Sequence, residues 1–286
     1  MANDGSLRAK SKARAAILRK AEADLIKRAT ALDVRLSKYV VNTLLPTLEI
    51  NTDGTIKNSL ANLQKINTST GLNKFVKDVV NNDLQRYYTD QFSQIDKATG
   101  GYYDEFNPKD TVKKAIAARG NATTNGFMQS LFSNNMVVMS IQQTIRKGIN
   151  SNQNVVDIKG ILDQQIQGKE GKMGLVTSFN YQNGYDDFQA YSRTLDNEYS
   201  KALSLNYAIY QGGEIKTTRT FCEDRAGKVY NRETILSWNL LEWQGMKENN
   251  DILIDLGGYN CRHDLDWISY ELAKRIDPEI QKSEFD

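Results

Sequence analysis

The chain has 286 residues, 40% of them hydrophobic, with 37 basic against 35 acidic side chains and only two cysteines, one histidine and three prolines. Two cysteines exclude a disulfide framework, and no apolar run reaches the ~20 residues that a membrane span requires. A chain of this length accommodates one large domain or two modest ones, and the scarcity of proline makes long helices easy to form.

Charge is unevenly spread. Through Arg28 the chain carries Arg8, Lys10, Lys12, Arg14, Arg19, Lys20, Lys27 and Arg28 against Asp4, Glu22 and Asp24, which leaves a slightly acidic remainder. A basic arm on an acidic body suits a polyanion such as DNA, with Arg8, Lys10, Lys12, Arg14, Arg19 and Lys20 as the candidate phosphate contacts. A solvated helix face is the alternative. The N-terminus is charged and has no apolar signal core, so the expected compartment is a reducing cytoplasm.

Residues 7–45 read as one long helix, in which Leu18, Leu25, Leu32 and Tyr39 recur every seven residues, with Ala29 and Leu36 beside them. Such a short heptad seam is expected to pack on the protein's own body first, and on a sibling copy second. Pro46 ends this helix. Further helices are expected over about 56–66 and 73–97, the latter broken at Thr99-Gly100-Gly101. Asn107 is expected to cap a helix running to Arg119, with Gly120 interrupting before another that buries Phe127, Leu131, Val138, Ile141 and Ile145. After a polar loop over 148–154, a short helix spans 155–166, and Gly168, Gly171 and Gly174 suggest a hinge. A last long helix is expected from Thr177 to Gln211, with an aromatic stripe at Tyr181, Tyr185, Phe188, Tyr191 and Tyr199.

Gly212-Gly213 marks the expected domain boundary. Beyond it the texture changes to short elements: a strand over 214–221, a turn at Ala226-Gly227, a helix over 232–243 and a closing helix over 266–276. The fold class expected is mainly α, an elongated helical region over 1–211 followed by a small α+β domain over 212–286.

Both cysteines, Cys222 and Cys261, and the single histidine, His263, lie in this last region, in the segments KTTRTFCEDRAGKVYNRETI and LGGYNCRHDL. Rare, sequence-distant Cys and His that gather this way meet in space as a metal site, a reactive pair or a disulfide. Three pieces follow in order: Arg219 to Cys222, Gly227 to Tyr230, and Asn260 to His263. Together they resemble the C-terminal domain of phage head morphogenesis proteins, the minor head proteins similar to protein F of phage Mu, over roughly the last quarter of the chain.

The resemblance implies a structural or assembly component of a tailed-phage particle, docked at the portal or capsid interior, present in few copies and ejected with DNA. Its partners would be portal or capsid proteins, packaged DNA and sibling copies. Its location would be the virion, after assembly in the host cytoplasm. Modules of this kind also occur beside toxin domains, so a delivered nuclease or transferase is the alternative.

Cys222, Cys261 and His263 supply three zinc ligands, with a carboxylate, Asp224 or Asp264 being nearest in sequence, or water as a fourth. Some relatives carry further ligands where this chain has Arg225 and Gly258. Buried packing is the expected state of the two cysteines, with a bridge formed after release and a metal centre as the other readings; no resident cofactor is expected. No glycine-rich phosphate loop, GxSxG or HExxH occurs, and no enzymatic activity is expected. Arg219, Gly227, Gly258, Asn260 and Arg262 read as scaffolding, the two arginines pairing with Asp224, Glu223 or Asp264 to tie the motif together.

Overall fold

The computed structural model describes residues 4–132, 135–213 and 215–286; the side chains of Phe127, Leu131 and Tyr185 and residue 214 of the expected strand lie outside what is described. The chain is mainly helical, with small antiparallel sheets. Its helices are α1 (Asp4–Tyr39), α2 (Leu60–Thr68), α3 (Thr70–Phe75), α4 (Asn82–Tyr103), α5 (Asp110–Phe132), α6 (Met136–Asn150), α7 (Val155–Gln167), α8 (Leu175–Ala202), α9 (Thr220–Glu223), α10 (Arg232–Ser237), α11 (Ile252–Asp255) and α12 (Tyr270–Ile276). The strands are β1 (Gly168–Lys169), β2 (Lys172–Met173), β3 (Tyr207–Gln211), β4 (Val229–Asn231) and β5 (Asp264–Ile268). No helix among the described residues is long and apolar enough to cross a membrane.

Two compact units share the chain. One comprises residues 1–22, 90–126 and 185–286; the other comprises 23–89 and 127–184. The division expected at residue 212 is not the one the packing follows, because it falls at the end of β3, between that strand and both of its partners.

In the second unit Leu25, Ala29, Leu32 and Leu36 of α1 are buried, so the heptad positions there are spent on the chain's own core. Asp33 caps the first turn of α8: its carboxylate accepts from Val176 N at 2.7 Å and from Thr177 N at 3.1 Å, satisfying helix-start donors that otherwise lack partners. The expected glycine hinge is instead a tight hairpin, β1 pairing with β2. Gly148, expected in a loop, lies within α6, where a Cβ would fall 2.2 Å from Ile158 Cδ1.

The first unit is built on aromatic packing. Phe92 lies 4.4 Å from Tyr191, and Tyr103 stacks on Tyr199 at 4.6 Å. Here α4 runs straight through Thr99-Gly100-Gly101 and α5 through Gly120, contrary to the expected breaks. A glycine costs a helix about 1 kcal/mol, but at Gly100 and Gly120 the missing Cβ admits the hydroxyls of Tyr199 and Tyr191. Asn107 does not cap α5; it is the left-handed (φ 50°) C-terminal cap of a short 3-10 turn.

The sheet of this unit has the order β4-β3-β5, with β3 antiparallel to both neighbours. The last long helix therefore stops at Ala202 rather than Gln211. Tyr207 to Tyr210 form the central strand, buried on both faces. Similarly, β5 occupies Asp264–Ile268, and the closing helix begins only at Tyr270, capped by Ser269. Over 215–221 the expected strand is replaced by an irregular stretch and the single turn of α9.

Candidate functional site

The first and last pieces of the motif meet at the Cys/His cluster, while the middle piece enters β4, on the opposite side of β3 from β5. Cys222 sits in α9, while Cys261 and His263 lie on the approach to β5; all three are buried. Their donor atoms lie within 4.8 Å of one another, and Cys261 Sγ is 3.9 Å from His263 Nδ1. Neither cysteine is in a disulfide.

Fixed donors point at both sulfurs. Tyr210 of β3 donates its hydroxyl to Cys222 Sγ at 3.3 Å, and the backbone N–H of Gly257 donates to Cys261 Sγ, also at 3.3 Å. Cys261, accepting from the Cys222 thiol and facing His263, is drawn well below the ordinary thiol range; Cys222, the donor of that pair and buried, is pushed up. The imidazole of His263 packs against the Tyr210 ring at 5.2 Å. Its Nε2 is buried and has no hydrogen-bond partner among the described residues.

The walls around these groups are backbone. A Cβ at Gly257 would lie 2.3 Å from Cys222 Sγ and 3.1 Å from Cys261 Sγ; one at Gly212 would lie 2.2 Å from His263 Cδ2. On its remaining side the cluster borders a pocket of about 180 Å³, completed by Ile215, Thr217, Thr218, Arg219, Tyr259, Asn260 and Arg262.

The scaffold residues are used differently from expectation. Arg219 does join the first and last pieces of the motif, but by donating to the carbonyl of Tyr259 at 2.7 Å rather than to a carboxylate. Arg262 reaches Glu22 of α1, at 3.2 Å. Asn260, left-handed at φ 56°, donates its N–H to Asp186 at 2.8 Å. Gly258, at φ 89°, lets two backbone segments meet: a Cβ there would stand 1.9 Å from Gly245 O. Gly227 (φ 77°) makes the turn into β4, its N–H donating to Tyr210 O at 2.8 Å.

Asp224 is exposed at the end of α9 and does not belong to the Cys/His cluster, because two residues, a little over half a helical turn of about 3.6 residues, carry it to the opposite face from Cys222. Asp264 is buried, but its carboxylate stands 3.5 Å from Arg193 Nε. Neither is a fourth ligand in this arrangement.

Sequence reasoning missed Arg193. From α8 this buried arginine donates to the carbonyl oxygens of Ile254, Cys261 and His263 at 2.8, 2.8 and 2.6 Å. It thereby fixes the segment carrying two of the three cluster residues. The only sequence signal was an arginine amid the helix's aromatic stripe.

The basic arm divides. Arg14 is buried, its guanidinium bound to Asp196 and, at 2.8 Å, to Asp266; it is unavailable to DNA. Lys10 bonds Glu105 at 2.6 Å. Arg8, Lys12, Arg19 and Lys20 are exposed.

Comparison of the chain with protein-family models, with curated proteins and with solved structures finds no match.

Proposed function

We propose that this protein is a structural minor head component of a tailed-phage particle, docked at the portal or capsid interior. The observation that carries this reading is the Arg219–Tyr259 hydrogen bond, which closes the first piece of the motif on the last. Together with Gly227, Gly258 and Asn260, which serve turns and backbone contacts, it supports reading the pattern as scaffolding. That is the sense in which the motif resembles the head morphogenesis proteins. The exposed Arg8, Lys12, Arg19 and Lys20 add a surface suited to packaged DNA.

The test is stoichiometry. Particles purified from the source host and quantified by mass spectrometry are expected to contain this chain in few copies relative to the major capsid protein. Its absence from DNA-filled particles and from their assembly intermediates would overturn the reading.

The pocket beside Cys222, Cys261 and His263 favours a second function, that of a delivered effector, because it opens beside two thiols and an imidazole. Under that reading, expression in host cells arrests growth, and Cys261→Ala relieves the arrest.

A further inference from the structure

Three observations at the Cys/Cys/His cluster point the same way. The first is convergence: three side chains from sequence segments some 40 residues apart bring their donor atoms within 4.8 Å of one another in a buried setting. Donors bonded to a single zinc at the usual lengths stand roughly 3.5–3.8 Å apart. The 3.9 Å between Cys261 Sγ and His263 Nδ1 is already close to that spacing.

The second is the treatment of the sulfurs. A neutral thiol is a weak acceptor, yet each sulfur receives a hydrogen bond from a rigidly held donor, Tyr210 to Cys222 and Gly257 N–H to Cys261. Donors aimed at sulfur in this way stabilise thiolate charge and orient metal ligands. The third is His263, which is 3% exposed, lines the pocket and has one ring nitrogen without a partner. With Nδ1 facing the sulfurs as the ligand atom, Nε2 carries the ring proton, and such an orphaned polar atom calls for an unseen water.

We propose that Cys222, Cys261 and His263 bind one borderline divalent cation of the zinc type, with the fourth coordination position open to the pocket beside Arg219. Two sulfurs and an imidazole select such ions over calcium or magnesium, which take oxygen ligands. On binding, each cysteine loses its proton to solvent and the imidazole binds as the neutral ring. Two thiolates then balance the dication, so the buried site carries no net charge. Backbone at Gly212 and Gly257 closes the cluster where side chains would otherwise intrude, and the pocket leaves room for water as the fourth ligand. This site stands independently of the particle reading, because it needs no partner.

The experiment uses the full chain, expressed with zinc and purified without chelator. Elemental analysis is expected to give close to one zinc per chain. Cobalt exchanged into the site is expected to give the intense visible bands of tetrahedral coordination, with sulfur-to-cobalt charge transfer. Cys222→Ser and Cys261→Ser should each abolish both signals. Should either variant fail to fold, the wild-type cobalt spectrum and a fall in Tm on chelation, reversed by zinc, carry the decision. Zinc-free protein with two titratable thiols would overturn the proposal in favour of packing. Zinc-free protein with a mass short by two hydrogens would overturn it in favour of a disulfide. Metal retained by both serine variants would place the ion elsewhere and equally overturn it.

Discussion

Arg193 Nη2 donates to the carbonyl oxygen of His263 at 2.6 Å, tying α8 to the segment that leads into β5. The same guanidinium satisfies Ile254 O and Cys261 O. One arginine thus binds three carbonyls, those of Cys261 and His263 in a buried setting. Arg193→Leu is expected to lower the unfolding free energy by about 2–4 kcal/mol, measured by chemical denaturation. Arg193→Lys should recover little of this, since a single ammonium cannot reproduce the planar fork that spans three acceptors. Wild-type stability in the lysine variant would refute that assignment.

Arg14 supplies the second test. It is enclosed with Asp196 and Asp266, and Tyr103 donates to Asp196 at 3.0 Å. Burial raises Asp196 to about 7 and Asp266 to about 6, with Arg14 opposing the rise in both. A carboxyl whose folded pKa lies above its unfolded value contributes stability that is full below the unfolded pKa and lost as pH rises through the folded one. Stability is therefore expected to fall between about pH 4 and 7, by at most about 1.4 kcal/mol per pH unit for each proton released. Asp196→Asn should flatten this slope. A slope unchanged in Asp196→Asn would assign the titration to other groups.

Removing the arginine itself is a separate matter. Arg14→Ala leaves two buried carboxylates without a cation, and a loss of about 3–5 kcal/mol is expected. If Arg14 instead served as a free phosphate contact, the variant would keep its Tm and lose only DNA retention.

Gly257→Ala places a methyl 2.3 Å from Cys222 Sγ. Overpacking of this kind costs about 1–3 kcal/mol, and the strain should appear as faster reaction of the two thiols with an alkylating probe. Unchanged thiol reactivity together with unchanged stability would show that the loop yields freely at this position.

A fragment beginning at residue 214 lacks β3, the strand that pairs with both β4 and β5. It is expected to show undispersed amide resonances. Adding back residues 203–213 restores the central strand but not α8, so full order should require the helix as well. A well-dispersed spectrum from the shorter fragment would restore residue 212 as a true domain boundary.

Much of the fold was legible because helical periodicity is a local property. The seam of α1, the short helix α7 and the turn at Gly227 all depend on neighbours a few residues away. The errors lie where tertiary packing overrides a local preference. Gly100, Gly120 and Gly148 look like helix breakers, but each makes room for a side chain from another element. Tyr207 to Tyr210 look like the end of a helix because a strand buried on both faces shows no alternation to distinguish it.

The site divides along the same line. Sequence alone located the candidate site, since two cysteines and the only histidine fall within one short span. It also determined that the chain is mainly helical, because proline is scarce and apolar residues recur at helical spacing. Only the tertiary structure decided that Asp224 is turned away while Tyr210, Gly257 and Arg193 converge on the sulfurs and the peptide groups beside them. Those relationships depend on where α8 and β3 are placed by burial of their aromatic faces, a global balance that no local spacing encodes.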